Sequence, residues 1–455
     1  MSPSSRSASV DPHKNWLDRT LSLFADVRAG EGGTAVLLAA NIFCILAFYS
    51  VLKVVRDTLI LTESGAEVKS YSAAGQAAIL LVVVPLYGAF ASRVNRLLLV
   101  CGVTIFFASH LAVFYALGSA GIRIGIPFFL WAGIFNLVVI SQFWAFANDL
   151  FTADRGRRLF PIIGIGASLG ALVGAGLTAL NFKEIGAYRL MLIAGLGLIL
   201  PIILTLWVNR RETRGTIAEA GSGGTTEAKE AGEPLSKTGG FQLIFQQRYL
   251  MLIALLMVTV NLVNTLGGYL LDKMMTGWAT ALASNPEEVR GLIGEMKGGI
   301  DTWVNLLALL VQAFLVSRIL KLIGVRGSLF VLPLIALTSY TLMAFIPIFS
   351  VIRIAKILEN SADYSIQNTA RHALFLPTSR EAKYKAKQAI DSFFVRLGDM
   401  LQALVVFVGT ELAAFSISAF AIVNIVFVII TLVIVMGIYR EHKRLTGDLP
   451  SEQAA

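Results

Sequence analysis

With 455 residues, 56% hydrophobic and only 15% charged, the chain departs from a soluble globular protein, which is about 45–50% apolar and about 25% charged. This excludes an ordinary water-soluble domain and implies a polytopic membrane protein; at about 20 apolar residues per spanning helix, the length accommodates roughly a dozen spans. The net charge of +9 would suit a nucleic-acid binder, but its distribution along the chain assigns it to membrane topology, so the expected partner is the lipid bilayer and not nucleic acid.

Residues 1–33 are read as a cytoplasmic N-terminal segment. They lack the apolar core and cleavage site of a signal peptide, so the first span is expected to be retained. Within them, 13–28 place Trp16, Leu17, Leu21 and Phe24 on roughly one helical face, as in an amphipathic surface helix. Apolar runs follow at 34–61, 71–91, 97–118, 126–150, 159–181 and 188–208, forming a six-span half over 34–208. The Gly-, Glu- and Thr-rich stretch 209–240 reads as a flexible cytoplasmic linker. A second six-span half covers 241–438, with runs at 249–271, 300–320, 327–348, 351–376, 388–411 and 416–438, and 439–455 form a cytoplasmic tail. Counting Lys and Arg in alternate connections gives about 25 on one side against about 6 on the other, which places both termini inside. The stretch 273–298 is then an external loop, with room for a short helix. Cys44 and Cys101 lie in apolar runs and read as small hydrophobes, so no disulfide, metal or cofactor is expected.

The halves echo each other. ASRVNRLLLVCGV follows span 2 and VSRILKLIGVRGSL follows span 8, while RGRR (155–158) and KYKAK (383–387) follow spans 4 and 10. Such a repeat frames a central site. Gly88, Arg93 and Arg96, together with the Gly166, Gly170, Gly174 spacing, resemble degenerate motifs of the major facilitator superfamily. The fold class expected is therefore an all-α membrane protein of twelve helices in a 6+6 pseudo-repeat.

Charges in hydrocarbon are costly and face a cavity or a partner. Span 1 carries Lys53, Arg56 and Asp57; span 10 carries Arg353, Lys356, Asp363 and Arg371 with Asn360 and Gln367 at helical spacing; span 11 carries Arg396 and Asp399. Some of these, such as Asp57 with Arg56 or Asp399 with Arg396, serve equally well as helix-locking pairs. As a set, they outline a polar cavity with a slight basic excess. That favours a small anionic solute, Arg and Lys being the usual phosphate ligands. No catalytic carboxylate pair, nucleophile elbow or phosphate loop stands out, and His110 and His372 are isolated, so an enzyme is not expected.

Three ordered segments resemble the non-mitochondrial ATP/ADP translocases of intracellular bacteria and plastids: FCILAFYSVLKVVRDTLIL in span 1, FWAFAND continuing through RRLFPIIGIGAS, and NTARHALFLPTSREAKYKAKQAID. The resemblance implies a nucleotide exchanger working by alternating access, functional as a monomer, in a bacterial inner membrane. It implies phosphate or substrate contacts from Lys53, Arg56, Asn148, Asn368, Arg371, Lys385 and Lys387, joined by Arg353, Lys356 and Arg396 from the stripes. Gating or coupling falls to Asp57, Asp149, Arg155, Arg158, Asp363, Asp391 and Asp399. The chain departs from the family where Ala132, Asn264 and His372 stand in place of glutamates, which leaves open a proton-coupled carrier of another anionic metabolite. An intramembrane transferase and a transport-dead sensor or assembly protein are the readings from other classes.

Overall fold

Backbone in hydrocarbon has to satisfy its hydrogen bonds internally, and a helix does so within one segment. The computed structural model describes residues 15–22, 26–91, 93–220, 239–379 and 381–447, and among these all regular structure is helical. The first half contains α1 (Trp16–Leu21), α2 (Gly32–Ala91), α3 (Arg96–Ser119), α4 (Gly125–Leu150), α5 (Ala153–Ile185), α6 (Ala187–Gly197) and α7 (Ile199–Ala220). The second contains α8 (Gly240–Gln246), α9 (Arg248–Leu282), α10 (Pro286–Phe314), α11 (Val316–Ser328), α12 (Val331–Phe345), α13 (Phe349–Ala362), α14 (Asn368–Ala373), α15 (Lys387–Ala389), α16 (Val395–Phe407) and α17 (Ile417–Gly447). Wider π turns occupy Asp363–Gln367, Ala382–Ala386, Ile390–Phe394 and Val408–Leu412. Among the described residues, eight helices are long and apolar enough to cross a membrane, and α10 with α11 makes a further candidate bent by 77°.

Several connections are shorter than the apolar runs suggest. The 60 residues of α2 would measure about 90 Å as one rod, roughly three bilayer cores. Gly65, at φ 87° and ψ 175°, breaks it into two rods without a loop; a side chain at that φ would be strained. The expected external loop 273–298 is not a loop. The helix α9 continues to Leu282, and α10 begins at Pro286, where Asn285 accepts from Glu288 N–H at 2.9 Å and the Glu288 carboxylate accepts from Ser284 N–H at 2.8 Å. This reciprocal cap starts the helix at once.

The stretch expected as linker also begins in helix, because α7 runs on to Ala220 and Glu212 is held by Arg155 at 2.8 Å and by the Thr34 hydroxyl at 2.5 Å. Residues 221–238 lie outside the described residues. Of the expected amphipathic stretch 13–28, residues 15–22 and 26–28 are described, and the helix among them is the short α1. Its Asp18 is buried and accepts from Gly30 N–H (3.0 Å) and Gly32 N–H (2.9 Å), which pins α1 to the start of α2. At the far end α17 continues to Gly447, well into the expected tail.

Close helix packing fixes each half. Gly166, Gly170 and Gly174 of α5 lie directly on the carbonyls of Ala39, Phe43 and Ala47 in α2, where a Cβ would overlap them. Between the halves, Gly298 of α10 lies on Ala179 of α5 in the same way. Other bridges between the halves are Gln402 Nε2 to Ser70 Oγ (3.1 Å), Lys273 Nζ to Glu67 (2.8 Å) and Lys183 Nζ to Glu295 (2.7 Å). All of these lie at the end of the bundle remote from the chain termini, called the closed end below. The opposite end is the terminal end.

Candidate functional site

Two buried carboxylates organise the closed end. Asp57, near the end of the first rod of α2, accepts from Arg56 at 2.7 Å and from Lys69 of the second rod at 3.0 Å, with Lys297 of α10 at 3.8 Å. Asp272 of α9 accepts from the same Lys69 at 2.8 Å and from Lys297. Each lysine therefore sits between one acid from each half. Low local dielectric strengthens such alternation, while an unpaired member would be costly. Arg56 was expected to meet substrate. Its guanidinium is instead taken by Asp57 and lies 4.7 Å over the Phe129 ring. Asp272 lies on the polar stripe that the sequence places along span 7 with Asn261 and Asn264; Lys69 and Lys297 were not among the sequence candidates, because both fell in stretches expected to be outer loops.

One turn toward the terminal end, Lys53 of α2 pairs with Asp301 of α10 at 3.0 Å. These side chains remain 29% and 19% exposed, against 9% and 5% for Asp57 and Asp272, so the pair is the wetter, inner member of the series. Tyr49 precedes Lys53 by four residues on the same rod.

A cavity of about 330 Å³ lies farther along the second half, lined by Met257, Val260, Asp363, Tyr364, Gln367, Asn368 and Arg371. The lining is amphipathic: apolar from α9, and polar from the π turn Asp363–Gln367 and from α14. Such turns interrupt helices mostly at functional sites. Arg371 donates to Asn368 Oδ1 at 3.1 Å, while its Nε has no hydrogen-bond partner among the described residues. Gln367 is 2% exposed, yet neither its Nε2 nor its Oε1 has a partner among the described residues. Buried amides are nearly always satisfied, so the unmatched Gln367 amide sets this part of the lining apart from the rest of the bundle. Asp363 accepts from Asn264 Nδ2 at 3.2 Å and forms no ion pair among the described residues.

The remaining sequence candidates separate by environment. Lys356 was expected in the cavity. It is buried in the second half, donating to Asn264 Oδ1 (2.8 Å), to the Asn264 carbonyl (3.1 Å) and to Glu359 (3.1 Å), while Tyr340 donates to Glu359 at 2.8 Å. Its charge is already compensated. Arg353 is exposed one turn into α13, away from the cavity lining. Arg396 pairs with Asp399 at 3.2 Å, and Asn261 Nδ2 also donates to Asp399 at 2.7 Å, which locks α16 onto α9. Lys387 pairs with Asp391 at 2.9 Å beside the Phe375 ring, and Lys385 lies half-buried in the π turn Ala382–Ala386. Asn148 is exposed near the end of α4, and its neighbour Asp149 pairs with Arg96. Arg155 and Arg158 were expected as gate residues; in this conformation they clasp their own half. Arg155 holds Glu212 at 2.8 Å, and Arg158 holds Glu31 at 2.8 Å and Asp154 at 3.3 Å. Partial burial alone would raise the Glu31 pKa, but the Arg158 bridge, the Arg28 N–H and Arg155 outweigh it and hold the carboxyl below its ordinary 4.5.

The family model for the TLC ATP/ADP transporter matches residues 127–443, which include the second half and the cavity. The chain belongs to this family. Similar proteins include ADP,ATP carrier protein 1 of Rickettsia bellii (strain RML369-C), 21% identical over 95% of this chain and 98% of the relative. ADP,ATP carrier protein 1 of Chlamydia trachomatis is 21% identical over 78% of each. ADP,ATP carrier protein 2, chloroplastic, of Arabidopsis thaliana is 24% identical over 61% of this chain and 48% of the relative. Among solved structures, a bacterial homologue of ferroportin in an inward-facing state superposes with a TM-score of 0.62 at 14% identity, covering 90% of this chain and 98% of the other. A bacterial homologue of the lysosomal transporter Spinster, inward-facing and unoccupied, gives 0.59 at 15% identity, covering 91% and 98%. The nucleoside transporter NupG gives 0.58 at 13%, covering 90% and 99%. These likenesses show a shared fold. This TLC-family chain is thus a multi-pass membrane transporter. Family membership also sets aside the transferase reading.

Proposed function

We propose that this transporter moves a nucleotide of the ADP/ATP class by alternating access and exchange, acting as a monomer with twelve spans and both termini on the cytoplasmic side of a bacterial inner membrane. The observation that carries the substrate reading is the cavity beside Arg371. The Arg371 guanidinium and the Asn368 amide offer donors to phosphate oxygens and base edges, while Met257, Val260 and Tyr364 offer an apolar flank. An arginine fork suits a polyphosphate better than a single carboxylate. Lys53, Asn148, Lys385 and Lys387 are the further anion contacts of this reading, and Asp391, paired with Lys387, is a gating residue. The conformation is closed at the end away from the termini, so the cavity would load from the cytoplasm.

The test is ligand stabilisation of the purified protein. ATP and ADP are expected to raise its melting temperature, and adenosine is not, because a ligand that binds the folded state adds to its apparent stability. Equal stabilisation by adenosine, or none by any nucleotide, would overturn the reading. A second reading, proton-coupled uptake, is favoured by one observation: Asp363 faces this basic cavity without an ion-pair partner among the described residues. Uptake that needs an imposed pH gradient would select it over exchange.

A further inference from the structure

The Lys53–Asp301 pair lies between the closed end and the cavity, whose lining residue Tyr364 is near enough to interact electrostatically with both partners. Lys53 precedes Asp57 by one turn on α2, and Asp301 follows Lys297 by one turn on α10. Three ion pairs made by Asp57, Asp272 and Asp301 cross between the halves: Lys53–Asp301 at 3.0 Å, Lys297–Asp57 at 3.8 Å and Lys69–Asp272 at 2.8 Å. Of these, the first is the most exposed, so a phosphate arriving from the cavity meets Lys53 before any other cation of the cluster. Lys53 is not unoccupied when the cavity is empty. It already holds an anion, and that anion belongs to the other half of the protein.

We propose that Asp301 is a built-in stand-in for substrate phosphate. An arriving polyphosphate takes Lys53, and the released Asp301 draws Lys297 away from Asp57 and Asp272, so that binding itself unlocks the closed end. This rests on the nucleotide reading above. A polyphosphate carries more charge than one carboxylate and wins the competition for Lys53. A carboxylate left unpaired between packed helices is costly and recruits the nearest cation that can swing to it. Lys297 lies four residues before Asp301 on the same helix, within side-chain reach, and its flexible stem lets the ammonium change partner. Two of the three crossing pairs are then gone. Within the buried cluster Lys69–Asp272 remains, beside the more exposed Lys273–Glu67 and Lys183–Glu295 pairs, and the tight Gly298–Ala179 contact serves as the pivot.

Asp301 is therefore a positioning residue, and its removal should separate affinity from turnover. Asp301→Asn cannot compete for Lys53 and cannot recruit Lys297. It is expected to bind ATP at least as tightly as the parent protein while ATP/ADP exchange falls by about tenfold or more, a size usual for coupling between sites. Asp301→Glu keeps the charge and should restore most of the exchange. Opening is read by spin labels at Glu184→Cys and Glu287→Cys, which face each other across the closed end from opposite halves, in a full-length protein with Cys44 and Cys101 replaced by Ser. ATP or pyrophosphate should produce a separated population in the parent and about tenfold less of it in Asp301→Asn. Lys297→Gln, which removes one crossing pair permanently, should show that population without ligand. A proportional loss of affinity and exchange in Asp301→Asn, normal ATP-driven opening in that variant, or a fully closed Lys297→Gln would overturn the relay. Stabilisation of the parent by ATP without opening overturns the relay alone; absence of any ATP effect overturns the nucleotide reading with it.

Discussion

Lys69, on the second rod of α2, donates to Asp272 of α9 at 2.8 Å across the boundary between the two halves. Because the first rod turns back at Gly65 without a loop, Lys69 also reaches Asp57 at 3.0 Å. One ammonium thus ties three rods. Breaking a buried pair by removing one partner costs about 3–5 kcal/mol. Asp272→Asn is therefore expected to melt at lower temperature and to expose the closed end. A cysteine at Glu287 should react faster with an impermeant maleimide in that background; unchanged labelling and melting would show that the cluster does not hold this end shut.

Lys356, on α13, behaves differently from the other basic residues of span 10, since it is buried and fully engaged with Asn264 and Glu359. Lys356→Met should destabilise the fold by about 3–5 kcal/mol, because Glu359 is left uncompensated. Nucleotide affinity of the folded fraction should be unchanged. Adding Glu359→Gln should recover much of the loss, and the double-mutant cycle measures how much.

Arg371 is the side chain on which the cavity depends. Hydrogen bonds to charged groups contribute about 1.5–3 kcal/mol, so Arg371→Gln is expected to weaken ATP binding by about tenfold or more by calorimetry. Arg353→Gln, at an exposed position away from the cavity lining, should bind as the parent does.

The Glu31–Arg158 clasp gives a pH dependence. The Glu31 pKa is depressed in the folded state, so its contribution is fully present above the ordinary carboxylate value and is lost as pH falls through the lower folded value. Glu31→Gln should therefore be less stable than the parent at neutral pH, and the difference should shrink only on acidification below about 4.5. A difference that persists unchanged in acid would contradict the assignment.

The apolar runs showed the helices because each exceeds a bilayer's thickness of hydrophobic sequence. The connections were less legible. A single glycine at 65 replaced a loop, and the Asn285–Glu288 cap, present in the sequence as a recognisable pattern, converted 273–298 into helix. That hid Lys69 and Lys297, which were counted as loop charges although they lie on helix walls. The span 10 stripe was legible as polar but not as two groups. Its spacing assumes an uninterrupted helical period, whereas the π turn Asp363–Gln367 changes the phase. Lys356 and Glu359 consequently face inward while Asp363, Gln367 and Arg371 line the cavity. The Asn264 departure from its family finds a physical counterpart here: its amide bridges Lys356 and Asp363, with Glu359 supplying the carboxylate.

Counter-exchange in liposomes tests the central claim most directly. Protein reconstituted with ADP inside should take up labelled external ATP in a saturable manner without a pH gradient, and Arg371→Gln should abolish most of that uptake. Absence of ATP or ADP uptake from folded protein, with or without internal nucleotide and with or without a pH gradient, would contradict the account.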